Sequence, residues 1–90
     1  MTYPFTKEML TRINEAVNDE FHTEIGTRYE GDVFAASCQP TPMKIAKHIA
    51  TTHPFVNGNK RTAIVVIRFK DSIETTIKEN HDILELLSVT

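Results

Sequence analysis

Apolar positions recur at helical spacing in several stretches of the chain and lose that spacing between them. Met9, Ile13, Ala16, Val17 and Phe21 repeat at steps of three and four, with Arg12, Asn14, Glu15 and Asp19 among them. Residues so spaced share one face of an α-helix, which predicts an amphipathic helix over 7–21 with those polar side chains outside. Thr6 is suited to cap its start, and Phe5 with Leu10 has the spacing of a hydrophobic staple. Asn18, Asp19 and Glu20 weaken its last turn. Over 22–40 the periodicity lapses. Gly26 and Gly31 punctuate this stretch, which reads either as a short β-hairpin between Gly26 and Ala36 or as an irregular loop. Loops of that length are uncommon inside small domains and often serve as lids.

Periodicity resumes after Pro40. Thr41 followed by Pro42 is a helix-start signal, with threonine as cap and proline at the first helical position. Met43, Ala46, Ile49 and Ala50 share a face of the helix predicted over 42–52, and His53 continues it, so the imidazole is expected to point toward the core. Pro54 cannot extend the helix and restricts the residue before it. Phe55 is placed to anchor the turn inward, and Asn57-Gly58 is a turn signal. The stretch 62–69 is β-branched almost throughout. It fits a buried strand or a buried central helix, and periodicity alone does not separate the two. Ile73 and Ile77 predict helix over 72–78, either continuous with 62–69 or separate. Asn80 then caps a last short helix carrying Ile83, Leu84, Leu86 and Leu87. No repeat or linker divides the chain, so residues 1–90 are expected to form a single domain.

Composition narrows the function classes. The net charge is −2 with no block of like charge, which argues against a nucleic-acid partner. Cys38 is the single cysteine, so no internal disulfide can form and a reducing compartment is the default. Thr2-Tyr3-Pro4 leads straight into a charged helix pattern rather than a signal peptide. No apolar run approaches the ~20 residues that a membrane span requires. The expectation is a cytoplasmic protein with no membrane association, delivery into a host cell by a machine that reads no cleaved signal staying open. A chain this short buries only ~60–65% of its unfolded surface, so pairing with itself or with another protein is a reasonable expectation.

The densest chemistry lies in His53-Pro54-Phe55-Val56-Asn57-Gly58-Asn59-Lys60-Arg61-Thr62. A helix starting near Asn59 presents unpaired backbone N–H groups and the positive end of its dipole. Gly58 lets a ligand approach the backbone closely, and Lys60 and Arg61 add two cations. Such an end holds phosphates. His53 stands at its edge, and imidazole is the side chain whose ordinary charge change lies nearest neutrality, which suits a general base acting on a hydroxyl. The plainer reading of the same residues is a helix–turn–helix with a dipole-facing histidine and two solvated cations.

His53-Pro54-Phe55, Gly58-Asn59 and Arg61 together resemble the signature of the Fic/Doc family. Asn59-Lys60-Arg61-Thr62-Ala63 resembles its death-on-curing branch: Lys60 stands where the adenylyltransferases carry glycine, and Ile64 where they carry a second arginine. The likeness covers roughly a ninth of the chain. It implies an all-α, compact helical bundle, here shortened, with the signature in the loop between two core helices and 62–69 therefore helical. It also implies a flap near 26–36, with Thr27, Arg28 and Tyr29 docking the target polypeptide.

By the same resemblance His53 is the general base. Asn59, Lys60 and Arg61 hold nucleotide phosphates, Lys60 and Arg61 stabilise charge in the transition state, Asn57 and Gly58 line the nucleotide site, and Phe55 anchors the loop. Adenylyltransferase members transfer AMP from ATP with magnesium. The death-on-curing branch transfers the terminal phosphate, with elongation factor Tu as a known class of target. The implied cofactors are ATP and Mg2+. The implied partners are a translation factor or another cytosolic protein, with an antitoxin as a candidate. Asn57 departs from the family, which has Asp or Glu there as the magnesium ligand; an amide lacks the charge a hard cation prefers, making Asn57 a weak metal ligand. Three functions stay open: a toxin or effector that phosphorylates a Ser, Thr or Tyr hydroxyl, a protein adenylyltransferase (AMPylation), or a non-catalytic module that binds a partner protein. Thr75, Glu79 and Asn80 loosely fit the family's autoinhibitory helix, whose arginine partner is missing at Ile64. Cys38 reads as a structural or incidental thiol, His22, His48 and His81 as surface residues, and Tyr29 and Phe34 either grip a peptide or pack the flap, with packing the favoured reading.

Overall fold

The computed structural model describes residues 5–88. Among them six helices follow one another without a strand: α1 (Lys7–Glu20), α2 (Glu30–Ser37), α3 (Pro42–Thr52), α4 (Asn59–Ile67), α5 (Ile73–Glu79) and α6 (His81–Glu85). Thr6 and Thr41 start α1 and α3 as their residue types predict. The Thr6 hydroxyl accepts from the Met9 N–H at 3.1 Å, and the Thr41 hydroxyl from the Lys44 N–H at 3.2 Å. Ser72 does the same for α5, accepting from the Thr75 N–H, so α5 is separate from α4.

α3 and α4 form the most closely packed pair, and α1 lies against α2, α4 and α5. Leu10, Ile13, Ile49, Phe55 and Val65 are fully buried where these helices meet. α4 is enclosed on most sides: Thr62, Ala63, Val65 and Val66 are all buried. That resolves the strand-or-helix ambiguity of 62–69. β-Branched residues cost a helix only a few tenths of a kcal/mol each, whereas burying one valine contributes about 1.5–3 kcal/mol. Arg68 closes the helix, and Phe69 lies beyond it, edge-on to Phe5 at 5.7 Å.

Several expectations are corrected. There is no hairpin between Gly26 and Ala36; α2 occupies most of that stretch. Val33 and Ala36, one turn apart, are buried, and Glu30 and Asp32 favour the helix's positive end. Gly31, exposed inside α2, is tolerated at roughly 1 kcal/mol. Tyr29 and Phe34 are exposed rather than packed. Asn14 lies on the inner face of α1 rather than outside, as does Asn18. Met43 is exposed, because the inward stripe of α3 runs through Ile45, Ala46 and Ile49. Asn80 does not cap α6 with its side chain. Its Oδ1 accepts from the Arg68 Nε at 2.6 Å, and its Nδ2 donates to the Thr76 carbonyl at 2.8 Å. His48 and His81 are half-buried, with His81 stacked on Phe21 at 5.0 Å. Among the described residues, no helix is long and apolar enough to cross a membrane.

Candidate active site

The loop from His53 to Gly58 joins α3 to α4. His53 closes α3 in the left-handed region, at φ 49° and ψ 59°. A residue before proline is disfavoured in the right-handed helical region, so the helix cannot continue through it. The turn carries the imidazole off the apolar stripe, and His53 is exposed. The expectation that it points toward the core is thereby corrected. Pro54 and Phe55 go inward instead.

Two sets of amides hold the loop from inside. The Asn59 side chain reaches back one turn: its Oδ1 accepts from the Phe55 N–H and its Nδ2 donates to the Phe55 carbonyl, both at 2.9 Å. Both polar groups of a buried backbone unit are thus satisfied by one buried side chain. From α1, Asn14 and Asn18 donate to the Asn57 carbonyl at 2.8 and 3.1 Å. Asn18 also donates to Asn14 Oδ1, and Asn14 to the Thr62 hydroxyl at 3.1 Å. Gly58 follows at φ 76°, and a Cβ there would lie 2.7 Å from Asn18 Oδ1. Glycine is therefore required both by the backbone angle and by the close passage of α1. Asn14 and Asn18 were not among the predicted site residues. Their signal was present, since an amide pair four apart interrupts an otherwise apolar stripe.

The outer edge of the loop carries the remaining chemistry. The first-turn N–H groups of Asn59, Lys60 and Arg61 have no carbonyl within α4 to meet, and no side chain caps them. What Asn59 can offer an anion is this backbone N–H, because its side chain is committed to Phe55. Lys60 is exposed, with its Nζ 3.2 Å from the Ser88 hydroxyl. Asn57 is half-buried; its Nδ2 faces the Glu24 carbonyl at 3.4 Å, and its Oδ1 accepts no hydrogen bond among the described residues.

Arg61 does not join Lys60 at this edge. Its guanidinium is buried, lying 4.1 Å over the Phe21 ring, with Nε donating to the Leu84 carbonyl at 2.7 Å. One terminal nitrogen, Nη1, is buried without a partner. Burial pushes the guanidinium pKa down, opposed by the nearby Glu85 carboxylate. The sequence groups two cations that the fold separates, because α6 returns over the inner side of α4.

The segment expected to dock a target lies along the loop. Thr27 and Phe55 form an antiparallel bridge. The N–H groups of Arg28 and Tyr29 donate to the Pro54 carbonyl at 2.7 and 3.0 Å, and the Val56 N–H donates to the Gly26 carbonyl at 3.0 Å. Thr27, Arg28 and Tyr29 thus stand beside His53 and Asn57, the guanidinium of Arg28 lying 5.2 Å over the Tyr29 ring. Glu79, in the segment that loosely fits an autoinhibitory helix, pairs with Lys70 at 3.6 Å.

Among the described residues, no group of three or more His, Cys, Asp or Glu side chains could hold a metal ion. The arrangement offers an exposed imidazole, a helix end whose first N–H groups have no side-chain cap, an exposed cation in Lys60 and a backbone edge that lines them. Compared with known proteins, the chain matches no family model, no curated protein and no solved structure.

Proposed function

We propose that this chain is a Fic/Doc-like transferase of the death-on-curing kind, moving the terminal phosphate of ATP to a hydroxyl on a cytosolic protein. The observation that carries the reading is the juxtaposition of an exposed His53 with an uncapped α4 N-terminus and Lys60, across a loop already held by buried amides. Such a loop can bind phosphate without first being ordered, which is where preorganised donors gain their effect.

In the proposed reaction His53 takes the proton of a target Ser, Thr or Tyr hydroxyl. The oxygen bonds to the γ-phosphorus as the bond from that phosphorus to the β–γ bridging oxygen breaks. ADP leaves with the electron pair. The N–H groups of Asn59, Lys60 and Arg61 and the Lys60 ammonium stabilise the charge that develops on the phosphates. Arg61 acts chiefly through its backbone N–H, since its side chain is buried beneath α6. Thr27, Arg28 and Tyr29, held along the loop by their bonds to Pro54 and Phe55, present their side chains to position the target polypeptide.

The donor set suits a nucleotide better than an isolated metal ion. Asn57 Oδ1 is a neutral oxygen, so magnesium would be held mostly by the phosphates with Asn57 as a supplementary ligand. When bound, it would neutralise phosphate charge. The same asparagine favours the second reading, a partner-binding module without catalysis.

The test is incubation of the protein with cell lysate and ATP labelled separately at the α and γ phosphates. Label entering protein from γ alone is the expected result. Label from α would mean AMP transfer, and label from neither would support the binding module. His53→Ala is expected to lower transfer by about 10²–10⁴-fold with an unchanged circular dichroism spectrum.

A further inference from the structure

Beside the start of α4 the surface carries a groove and a ridge that fit one another. The groove, about 280 Å³, runs between α3 and α4 and ends at Leu87. Met43, Ala50, Ile64 and Ile67 line it, and Lys47 and Lys60 stand at its rim. Met43 is 61% exposed.

The ridge is the outer side of α6. Leu84 points inward and is fully buried, while Ile83 is exposed and Leu86 is 85% exposed. Past Glu85 the chain makes a tight turn, with the Leu86 N–H on the Ile83 carbonyl and the Leu87 N–H on the Leu84 carbonyl. Residues three apart lie on one side of such a turn, so Ile83 and Leu86 adjoin, and Leu87 follows directly. Because Leu87 also lines the groove, groove and ridge are parts of one continuous face. The ridge carries Asp82 and Glu85, both exposed; neither is in an ion pair within 4.0 Å among the described residues, and Glu85 also lies near the Arg61 guanidinium.

We propose that this face is a homodimer interface, in which the α6 ridge of each copy seats in the α3–α4 groove of the other. The argument is complementarity of shape and of charge. An apolar ridge flanked by two carboxylates meets an apolar groove rimmed by two lysines, and a two-fold axis uses both pairs at once. A closed dimer requires such a self-complementary patch. A contiguous exposed apolar patch with a polar rim is the usual mark of an interface. The interface and the proposed phosphate site share Lys60 and are otherwise separate, so dimerisation is measured without assaying transfer.

Sedimentation equilibrium of the whole chain tests it. The wild type is expected to be a monomer–dimer mixture whose dimer fraction rises with concentration and falls with salt. Met43→Glu and Leu86→Glu alter exposed side chains, so each should keep the wild-type circular dichroism spectrum. Each should weaken dimerisation at least about tenfold, a change of about 1.4 kcal/mol. A wild type that stays monomeric up to about 1 mM, the weak end of measurable affinity, would overturn the proposal. So would a folded Leu86→Glu that dimerises like the wild type. A heterodimer formed only with some other protein would appear here as a monomer and would count against it.

Discussion

The loop from His53 to Gly58 and the C-terminal helix α6 both close on the start of α4, and they are held in opposite ways. In the loop, the polar backbone groups of Phe55 and the Asn57 carbonyl meet buried amides of Asn14, Asn18 and Asn59. α6 is five residues long, attached by one buried leucine, the Arg61–Leu84 bond and His81, which stacks on Phe21 and lies 3.3 Å from Glu20, and it leaves Ile83 and Leu86 in water. Buried hydrogen bonds are costly to leave half-made, so the loop is expected to hold one geometry. Apolar surface left exposed on a short helix contributes nothing to the monomer and suits an interface. The contrast teaches where this small domain places rigidity: at the edge carrying His53, and not at the face carrying Leu86.

The largest expected effect comes from breaking the loop's clamp. Asn59→Ala leaves the Phe55 N–H and carbonyl buried without their partners, each costing roughly 1–3 kcal/mol. A loss of about 2–4 kcal/mol in urea denaturation is expected. A loss below about 1 kcal/mol would show that the loop is held by packing of Phe55 alone, and the contrast with α6 would fail.

A smaller effect is expected at α6. Arg61→Met removes the bond to Leu84 but also removes a desolvated charge with one unpartnered nitrogen. Replacing a buried charge by an apolar side chain of similar volume is often near neutral. Stability is expected to change by less than about 1 kcal/mol, while α6 amide protons exchange faster. A loss above about 3 kcal/mol would make Arg61 a pillar comparable to Asn59.

The smallest effect serves as a baseline outside both regions. Lys7 and Glu30 join α1 to α2 at 2.6 Å on the surface. The hydrogen bond and charge of Glu30 raise the Lys7 pKa. A raised pKa means that the pair's contribution is fully present below the ordinary lysine range and is lost as pH rises through the raised value. The stability difference between wild type and Glu30→Gln should be slight at neutral pH and vanish in strong alkali. A difference that grew with pH would contradict the assignment. Exposed pairs contribute little in general.

The parts of the fold legible in the sequence are those at the boundary between core and water. α1 and α3 show there as apolar stripes, and Thr6 and Thr41 announce their starts. α4 was ambiguous because burial on most sides removes the polar face that periodicity needs; the resemblance of its first residues to a known motif, rather than its own pattern, favoured helix. α2 was missed because Val33-Phe34-Ala35-Ala36 is contiguous and Gly31 sits inside it. In the site, Phe55 and Gly58 were placed by residue type alone. Asn14 reads as a surface residue because asparagine is mostly exposed, and Asn18 as a weak last turn, although both sit at buried spacing beside Ile13 and Val17. The fate of Arg61 was not legible, since no local spacing reports that α6, more than a dozen residues later, folds back over it.

The central claim, that the loop is a preformed phosphate site, is tested most directly by titrating ATP with magnesium into labelled protein and following backbone amide shifts. The account predicts saturable shifts concentrated at Gly58, Asn59, Lys60 and Arg61, with His53 and Asn57 at the margin. It also predicts that the side-chain amide signals of Asn14, Asn18 and Asn59 stay in place, because the loop does not rearrange. Absence of shifts at ATP concentrations up to about 10 mM, beyond any useful affinity, would contradict the account, as would shifts confined to another face.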